Sequence, residues 1–291
     1  MNRKFMILCV AGQSNAVGYD ESAVTEEYLA QFDAHRLFQL GFHGEDNLKI
    51  LPLGACAQNY QDMRPFGHPD SCCAGTKGVH LPLANLLLEA VPADYDMLVI
   101  PCAYGGSGFT VGEIGPYDPK TLSPAPGVWR WGVSSNYYLG LKNRIAYALD
   151  LNPQNRFLGM VWCQGEHDHA DAAGQKAGFE AMTKDFFASF AQAYPHRVYR
   201  GDWNREIWYN FETVAYWYTQ GECAQIWDHY RAWNPDTYVT IPRDTPSNEQ
   251  NGTGITARIR AAHFGGDAFV NVVAPRTAEV MKKRLLSSGE E

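Results

Sequence analysis

Short apolar runs that alternate with longer segments of helical periodicity predict an α/β protein with a mainly parallel sheet. The strand-length runs are residues 5–10, 36–40, 96–101, 157–163, 197–200 and 237–241. Because parallel strands need a crossover between them, this alternation places helices on both faces of the sheet. We therefore expect a three-layer α/β/α sandwich around a mainly parallel sheet of five to six strands.

Apolar residues at the spacing of a helix face predict the helical layers. The segments are 78–90, 136–149, 179–193 and a carboxyl-terminal helix that has Pro275 in its first turn and runs to about residue 286. Two irregular stretches, 104–131 and 243–260, interrupt the alternation. The first is long for a compact domain, which usually indicates a functional loop.

Size and charge limit the function classes. A chain of 291 residues can form one large α/β domain, and we expect residues 1–291 to be that domain. The net charge of −8 argues against nucleic acid or an anionic membrane as a partner. Arg3-Lys4 and the apolar run 5–10 imitate a signal peptide, but the run is too short. We interpret it as a strand and expect a cytoplasmic or periplasmic protein without an evident signal peptide.

The first predicted strand leads into Gly12-Gln13-Ser14-Asn15. Ligands of open α/β sheets bind at the carboxyl ends of the strands, so Ser14 is a candidate nucleophile. Two other interpretations compete. Ser14 and Asn15 could cap the next helix, since both residue types favour that position. The GxSxG elbow of α/β hydrolases is similar but does not match, because Ala16 replaces its last glycine and only one strand precedes the serine.

This turn resembles the first motif block of the SGNH hydrolases, in the form found in carbohydrate acetylesterases. The order and spacing of further segments extend the resemblance along nearly the whole chain. They are Gln61-Asp62-Met63, Gly105-Gly106-Ser107, Arg130-Trp131-Gly132, Trp162-Cys163-Gln164-Gly165-Glu166-His167-Asp168 and His263-Phe264. The sequence is similar to bacterial sialate 9-O-acetylesterases, which implies an SGNH (flavodoxin-like) sandwich and the removal of acetyl groups from sialic acid.

The resemblance selects His263, among nine histidines, as the base that activates Ser14. SGNH enzymes commonly place Asp three residues before this histidine, whereas this chain has Arg260. The group that orients the imidazole must therefore come from elsewhere. Glu166 is the candidate implied by the acetylxylan-esterase branch, and a backbone carbonyl, most plausibly that of Ala261, is the alternative.

Acyl transfer also needs donors for the developing oxyanion. The candidates are the N–H groups of Ser14 and Gly106, the latter preferred over Gly105, and the side-chain amide of Gln164. The segment 166–169 contains acids and histidines but lacks the spacing of a zinc site, so we interpret it as a solvated loop that Asp168 braces.

Substrate-binding residues are the least determined part of the site. The motif positions suggest Gln13, Asn15, Tyr104, Arg130 and Trp131, and sugar stacking suggests Trp131 with one residue of Trp203–Trp208 as a pocket wall. Tyr104 stands where the relatives' pattern has a basic residue. The sialate carboxylate requires a cation, for which the candidates are Arg64, Arg130, Arg243 and Arg258.

The expected protein is thus a serine esterase that acts through an acyl-enzyme and needs no metal or organic cofactor. Its expected partner is a small O-acetylated sugar. Two alternatives stay open: an acetylxylan or general carbohydrate acetylesterase, which would share Ser14 and His263, and a sugar-binding protein on a decayed hydrolase scaffold.

Overall fold

The computed structural model describes residues 3–42, 44–55, 70–72, 76–124, 127, 129–250, 260–265 and 267–287. Its main sheet has seven strands within these ranges, in the order β3-β2-β4-β1-β7-β8-β9, and only β3 runs antiparallel to its neighbour. A separate pair, β5 and β6, lies in the long loop. The strands are β1 Phe5–Gly12, β2 Leu37–Leu40, β3 Ile50–Pro52, β4 Asp96–Ala103, β5 Tyr117–Asp118, β6 Ser123–Pro124, β7 Arg156–Cys163, β8 Trp208–Phe211 and β9 Tyr238–Val239.

Helices cover both faces of this sheet, as the alternation predicts. They are α1 Ser14–Val17, α2 Glu26–Leu29, α3 His80–Leu87, α4 Asn136–Asp150, α5 Ala172–Ala193, α6 Cys223–Trp233 and α7 Ala274–Ser287. Side-chain caps fix where several begin. Ser135 accepts the N–H of Tyr138 at the start of α4, and Asp171 accepts that of Gly174 at the start of α5. None of the described helices has the length and apolar character of a membrane span.

Strand β1 occupies the centre of the sheet because its sequence is apolar on both faces. Every residue from Phe5 to Gly12 is buried, and β1 pairs in parallel with β4 on one side and β7 on the other. The three strands therefore end side by side at one edge of the sheet. The turns that follow them carry Ser14, Gly106 and Glu166.

The fold class is confirmed, with two corrections to its strands. Residues 197–200 form an isolated bridge between Val198 and Phe157 instead of a strand. His196 and Arg200 have positive φ values of 59° and 50°, so extended pairing cannot continue through either one. The place next to β7 belongs to β8, and the short edge strand β3 raises the count to seven.

Aromatic residues fill the core rather than a pocket wall. Trp131, Trp203 and Trp208 are each at most 7% exposed, which corrects the prediction that they stack on a sugar. The Trp131 ring packs edge-on against Trp162 at 4.9 Å, and its Nε1–H donates to Ser107 Oγ. Large aromatic rings are default core material, and their number here reflects packing.

Burial of His80 predicts that the protein loses stability in acid. Both ring nitrogens of this fully buried residue lack a hydrogen-bond partner among the described residues, and burial lowers its pKa from 6.5 to about 4. The unfolded chain therefore binds a proton that the folded chain does not. Stability should fall as the pH drops from 6.5 to about 4, by about 3 kcal/mol from this residue alone.

Urea unfolding at pH 7 and pH 4.5 checks this expectation. His80→Leu should lose less stability between the two values than the wild type, whereas the exposed control His35→Leu should not differ from it. An unchanged pH dependence in His80→Leu would show that this imidazole is not the group responsible.

Candidate active site

The nucleophile turn is formed by a close approach of β1 to β7. Gly12 has a φ of +130°, and a Cβ atom there would lie 2.0 Å from the carbonyl oxygen of Cys163. Only glycine tolerates both the backbone conformation and the contact. The next residue closes the junction, because Gln13 N–H donates to the same Cys163 oxygen at 2.8 Å. The chain then turns into α1, whose first residue is Ser14.

Ser14 is nearly buried at this edge of the sheet. The residue is 3% exposed, and its Oγ has no hydrogen-bond partner among the described residues. The backbone N–H of the first residue of a helix has no partner within that helix. Ser14 therefore presents a hydroxyl and an N–H that are both uncommitted to neighbouring described groups, as a nucleophile with an adjacent oxyanion donor requires.

The side chain of Asn15 brings His263 to this turn. Asn15 Nδ2 donates to the carbonyl of Ala262 at 3.2 Å, and Asn15 Oδ1 accepts the N–H of Phe264 at 3.1 Å. The two bonds thus hold the residues immediately before and after His263. Since Asn15 directly follows Ser14, the predicted nucleophile and the predicted base are parts of one local structure.

The His263 imidazole is held in its neutral form. Its ring packs edge-on against the Tyr19 ring, with 5.2 Å between the centroids. Loss of hydration, and then the nearby His167, lower its pKa from 6.5 to about 4. A neutral imidazole at working pH is the form that accepts a proton from serine.

Glu166 lies beside Asn15, and its expected direct contact with His263 is not observed. Its Oε1 accepts from Asn15 Nδ2 at 3.0 Å and from Thr213 Oγ1 at 2.8 Å. Its Oε2 has no hydrogen-bond partner among the described residues, and burial raises the pKa of the carboxyl. Within the described chain the His263 ring bonds neither Glu166 nor the carbonyl of Ala261.

Gly106 meets the requirement for a second oxyanion donor. It follows β4 with a φ of +74°, in a turn that the bond from Tyr104 N–H to Gly12 O fastens to the end of β1. Its N–H makes no hydrogen bond within the described part of the chain. Its role as a donor stays a prediction.

Gln164 does not fit the same role. Its Nε2 donates to Asp168 at 2.6 Å and to the carbonyl of Ser107 at 3.4 Å, and its Oε1 accepts from Gln175. Both amide hydrogens are therefore committed inside the protein, and the side chain is fully buried. The prediction of an oxyanion contact from Gln164 is corrected on this ground.

Asp168 braces the loop as predicted, but the segment that contains it is not solvated, because Glu166 and Asp168 are both fully buried. The Asp168 carboxylate accepts both backbone N–H groups of Phe109 and Thr110, at 2.9 Å and 2.7 Å, and the Thr110 hydroxyl at 2.6 Å. These bonds fasten the start of the long loop, which carries Gly106, to the turn after β7.

Most of the predicted sugar contacts point into the protein. Gln13 is buried and bonds His167, Asn15 is buried between Glu166 and the histidine segment, and Tyr104 stacks on Tyr137 at 3.7 Å. Trp131 is in the core, as described above. Residues buried in this way hold the site together and do not line it, which corrects all four predictions.

Of the two candidate cations that the structure describes, Arg243 is the better placed. It lines a cleft of about 1010 Å³ together with Ser247, Arg260 and Ala261, and the last of these lies two residues from His263. Arg130 instead lines a separate cleft of about 300 Å³ beside Ile114. Gln61-Asp62-Met63, Arg64 and Arg258 lie outside the described residues.

Two residues of the site escaped sequence reasoning. Thr213, which bonds both Asn15 and Glu166, follows β8, a strand that the apolar pattern did not predict. Tyr19 packs on His263 from the segment after α1, and no motif singles it out. A search for polar residues within two positions of the end of each strand could have found Thr213, but only with β8 assigned.

The chain is similar to known proteins in sequence and in fold. The chain is 32% identical to a probable 9-O-acetyl-N-acetylneuraminic acid deacetylase of Escherichia coli, over 95% of each sequence. The solved structure of NanS superposes with a TM-score of 0.83 at 26% identity, covering 96% of this chain and 97% of that one. A structure from Arabidopsis thaliana shares the fold, with a TM-score of 0.61 at 12% identity and coverage of 96% and 98%. No family model matches.

A serine turn at the carboxyl edge of a parallel sheet, joined to a histidine from near the chain's end, defines the class as an SGNH-type hydrolase. The chain belongs to this superfamily and, within it, to the family of the Escherichia coli deacetylase.

Removal of the brace should weaken the site from a distance. Asp168→Asn loses the charge and one acceptor, which leaves buried N–H groups of the loop without full partners, at a cost of about 2 kcal/mol. We expect faster proteolytic cleavage within 104–131 and a lower kcat for ester hydrolysis. Asp185→Asn, which disturbs a partly exposed carboxylate on α5, is the control. Equal cleavage rates in wild type and Asp168→Asn would contradict the role of the brace.

Proposed function

We propose that the protein is a serine esterase that removes O-acetyl groups from sialic acid, chiefly at the 9-position. The proposal rests on two hydrogen bonds of Asn15, the residue after Ser14. They hold the backbone of the residues immediately before and after His263. The relative at 32% identity, whose name states this deacetylation, supports the choice of substrate. We further propose that residues 1–291 act as one esterase domain on a small sugar, in the cytoplasm or the periplasm.

We propose that these groups carry out the reaction in two acyl-transfer steps. His263, neutral at working pH, takes the proton of Ser14 as its Oγ attacks the acetyl carbonyl. The N–H groups of Ser14 and Gly106 stabilise the negative oxygen of the tetrahedral intermediate. The imidazolium then protonates the departing sugar oxygen, so the sugar leaves with a free hydroxyl and an acetyl-enzyme remains. A water molecule deprotonated by His263 attacks this ester, and acetate leaves as Ser14 regains its proton.

Arg243 is our proposal for the cation that meets the sialate carboxylate. Its guanidinium stacks over the Tyr218 ring and lies 4.0 Å from the buried carboxylate of Glu212, which itself bonds Arg231 and Tyr238. These contacts hold the side chain in place while it stays about half exposed to the cleft. A pre-positioned arginine binds a carboxylate with little loss of side-chain entropy.

Hydrolysis should depend on Ser14 and favour the anionic sugar. Ser14→Ala should lower kcat by roughly 10⁴-fold on 9-O-acetyl-N-acetylneuraminate and on p-nitrophenyl acetate, because no nucleophile remains. The helix-surface change Ser189→Ala is the matched control.

Arg243→Ala should raise KM more for the sialate than for the neutral ester. Residual activity in Ser14→Ala near the wild-type rate would exclude the serine mechanism, and faster turnover of acetylated xylose would exclude the sialate substrate.

The decline of kcat/KM in acid should occur at a lower pH than the usual pKa of histidine predicts. Protonation of His263 removes the base, and its lowered pKa places that event near pH 4 rather than 6.5. We expect kcat/KM for p-nitrophenyl acetate to stay near its neutral value at pH 6 and to halve near pH 4. Circular dichroism at each pH must show intact protein, since His80 destabilises the fold in the same range. A limb centred at 6.5 would contradict the neutral, desolvated imidazole.

A further inference from the structure

We propose that Asn15 is the positioning residue for the catalytic base, and that Glu166 acts through Asn15 rather than on the imidazole. The inference rests on the proposed function and deepens it. It assigns a mechanistic role to two buried residues, neither of which reaches the solvent or touches the His263 ring through a described hydrogen bond.

The side chain of Asn15 has hydrogen-bond partners at both ends of its amide, and the two hydrogens of its Nδ2 are shared among three acceptor oxygens. Its Nδ2 faces the oxygens of Glu166, Thr213 and Ala262 at 3.0, 3.2 and 3.2 Å, and its Oδ1 accepts from Phe264 N–H. Fully buried amides that are satisfied on both ends have one permitted orientation. The partners lie between 151 and 249 residues away in sequence. One side chain thus connects the turns after β1, β7 and β8 with the histidine segment.

The backbone partners determine which side-chain chemistry fits. Ala262 offers a carbonyl, which only accepts, and Phe264 offers an N–H, which only donates. The residue at position 15 must therefore donate on one side and accept on the other. Aspartate cannot donate when ionised, and alanine can do neither. Among side chains of this length, only asparagine meets both demands and also donates to a carboxylate.

Glu166 and Thr213 fix the orientation of that amide. If the amide rotated by half a turn, its NH₂ group would face the Phe264 N–H, and its oxygen would face the carboxylate of Glu166 and the carbonyl of Ala262. Both contacts are repulsive. The Thr213 hydroxyl donates to Glu166 Oε1 and accepts from Asn15, which closes a three-membered network. Glu166 therefore acts as an acceptor in this network and does not need to contact the imidazolium.

The other attachments of the histidine segment do not bond the backbone on both sides of His263, so the loss of Asn15 should displace the imidazole. Within residues 260–265, Trp217 Nε1–H donates to Ala262 O at 2.8 Å, and His263 O accepts from Asn248 N–H at 3.0 Å. Phe264 makes one isolated bridge with Ser247. Arg260 also bonds Glu21, and the His263 ring packs on Tyr19, both in the segment after α1. Among the described residues, Asn15 is the one whose side chain bonds the backbone on both sides of His263.

The first test compares Asn15→Ala with a matched buried asparagine. Asn155 is also fully buried, accepts from Phe5 N–H at 2.8 Å and donates to Ala148 O at 2.7 Å, at the amino-terminal end of β7. Both alanine variants should lose stability in urea unfolding. Only Asn15→Ala should also lower kcat, by about 100-fold with little change in KM, because the base is misplaced while binding persists. A kcat within about threefold of wild type, or an equal loss in Asn155→Ala, would overturn the proposal.

The second test separates positioning through Asn15 from direct action of the Glu166 charge. Glu166→Gln keeps an acceptor oxygen for Asn15 and Thr213, so kcat should fall no more than about tenfold. Glu166→Ala removes that acceptor and should resemble Asn15→Ala. In the double alanine variant the two losses should not multiply, because both act through one contact. A loss of about 10⁴-fold in Glu166→Gln would mean that the charge acts on the imidazolium directly.

Thr213→Val provides an independent variant that preserves shape if Asn15→Ala does not fold. It removes the hydroxyl from the network and should lower kcat by about tenfold at constant KM, whereas an unchanged kcat would contradict the proposal. Failure of the proposed function has a different signature. It would show as hydrolysis that survives Ser14→Ala, whereas failure of this inference would show as normal kcat in Asn15→Ala with hydrolysis still dependent on Ser14.

Discussion

The contact between the carboxyl ends of β1 and β7 is the constraint on which the rest of the site depends. A side chain at position 12 would overlap the carbonyl of Cys163, so the two backbones approach as closely as glycine allows. The bond from Gln13 N–H to that carbonyl then fixes the direction in which the chain leaves β1. Asn15 lies two residues after Gln13, and Glu166 lies three residues after Cys163. Their side chains therefore meet next to this junction.

The sequence predicts the central strands of the sheet but not β8, which lies towards one edge. Strands β1, β4 and β7 are long apolar runs, because a central parallel strand is buried on both faces. By contrast, β8 is a four-residue segment that follows a 3₁₀ turn, and its aromatic residues resemble core or pocket material equally well. Residues 197–200 have strand-like composition but the wrong backbone conformation at Arg200, which no composition reveals.

The site divides in a similar way. Motif order identifies Ser14, His263 and Glu166, since each follows or precedes a recognisable element. It does not reveal that Gln164 is bonded to Asp168 or that Asn15 lies between Glu166 and the histidine segment. These are contacts between residues far apart in sequence, whose side chains could equally face a substrate. Polar residue types suited to ligand binding are also suited to buried networks, and only burial distinguishes the two uses.

The position where other SGNH enzymes carry the orienting aspartate has a different physical role here. Arg260 donates to the carboxylate of Glu21, a fully buried residue of the segment after α1, with two nitrogens at 3.0 Å. Loss of the arginine from such a pair is costly, because it would leave the buried Glu21 charge without its cation. The histidine segment is thereby fastened at its start by Arg260 and on both sides of His263 by Asn15. An acid at position 260 would face the Glu21 carboxylate and repel it. In this chain, the backbone of the segment is anchored by charge at one point and by an amide at another, so the imidazole can be positioned without a carboxylate in direct contact with its ring.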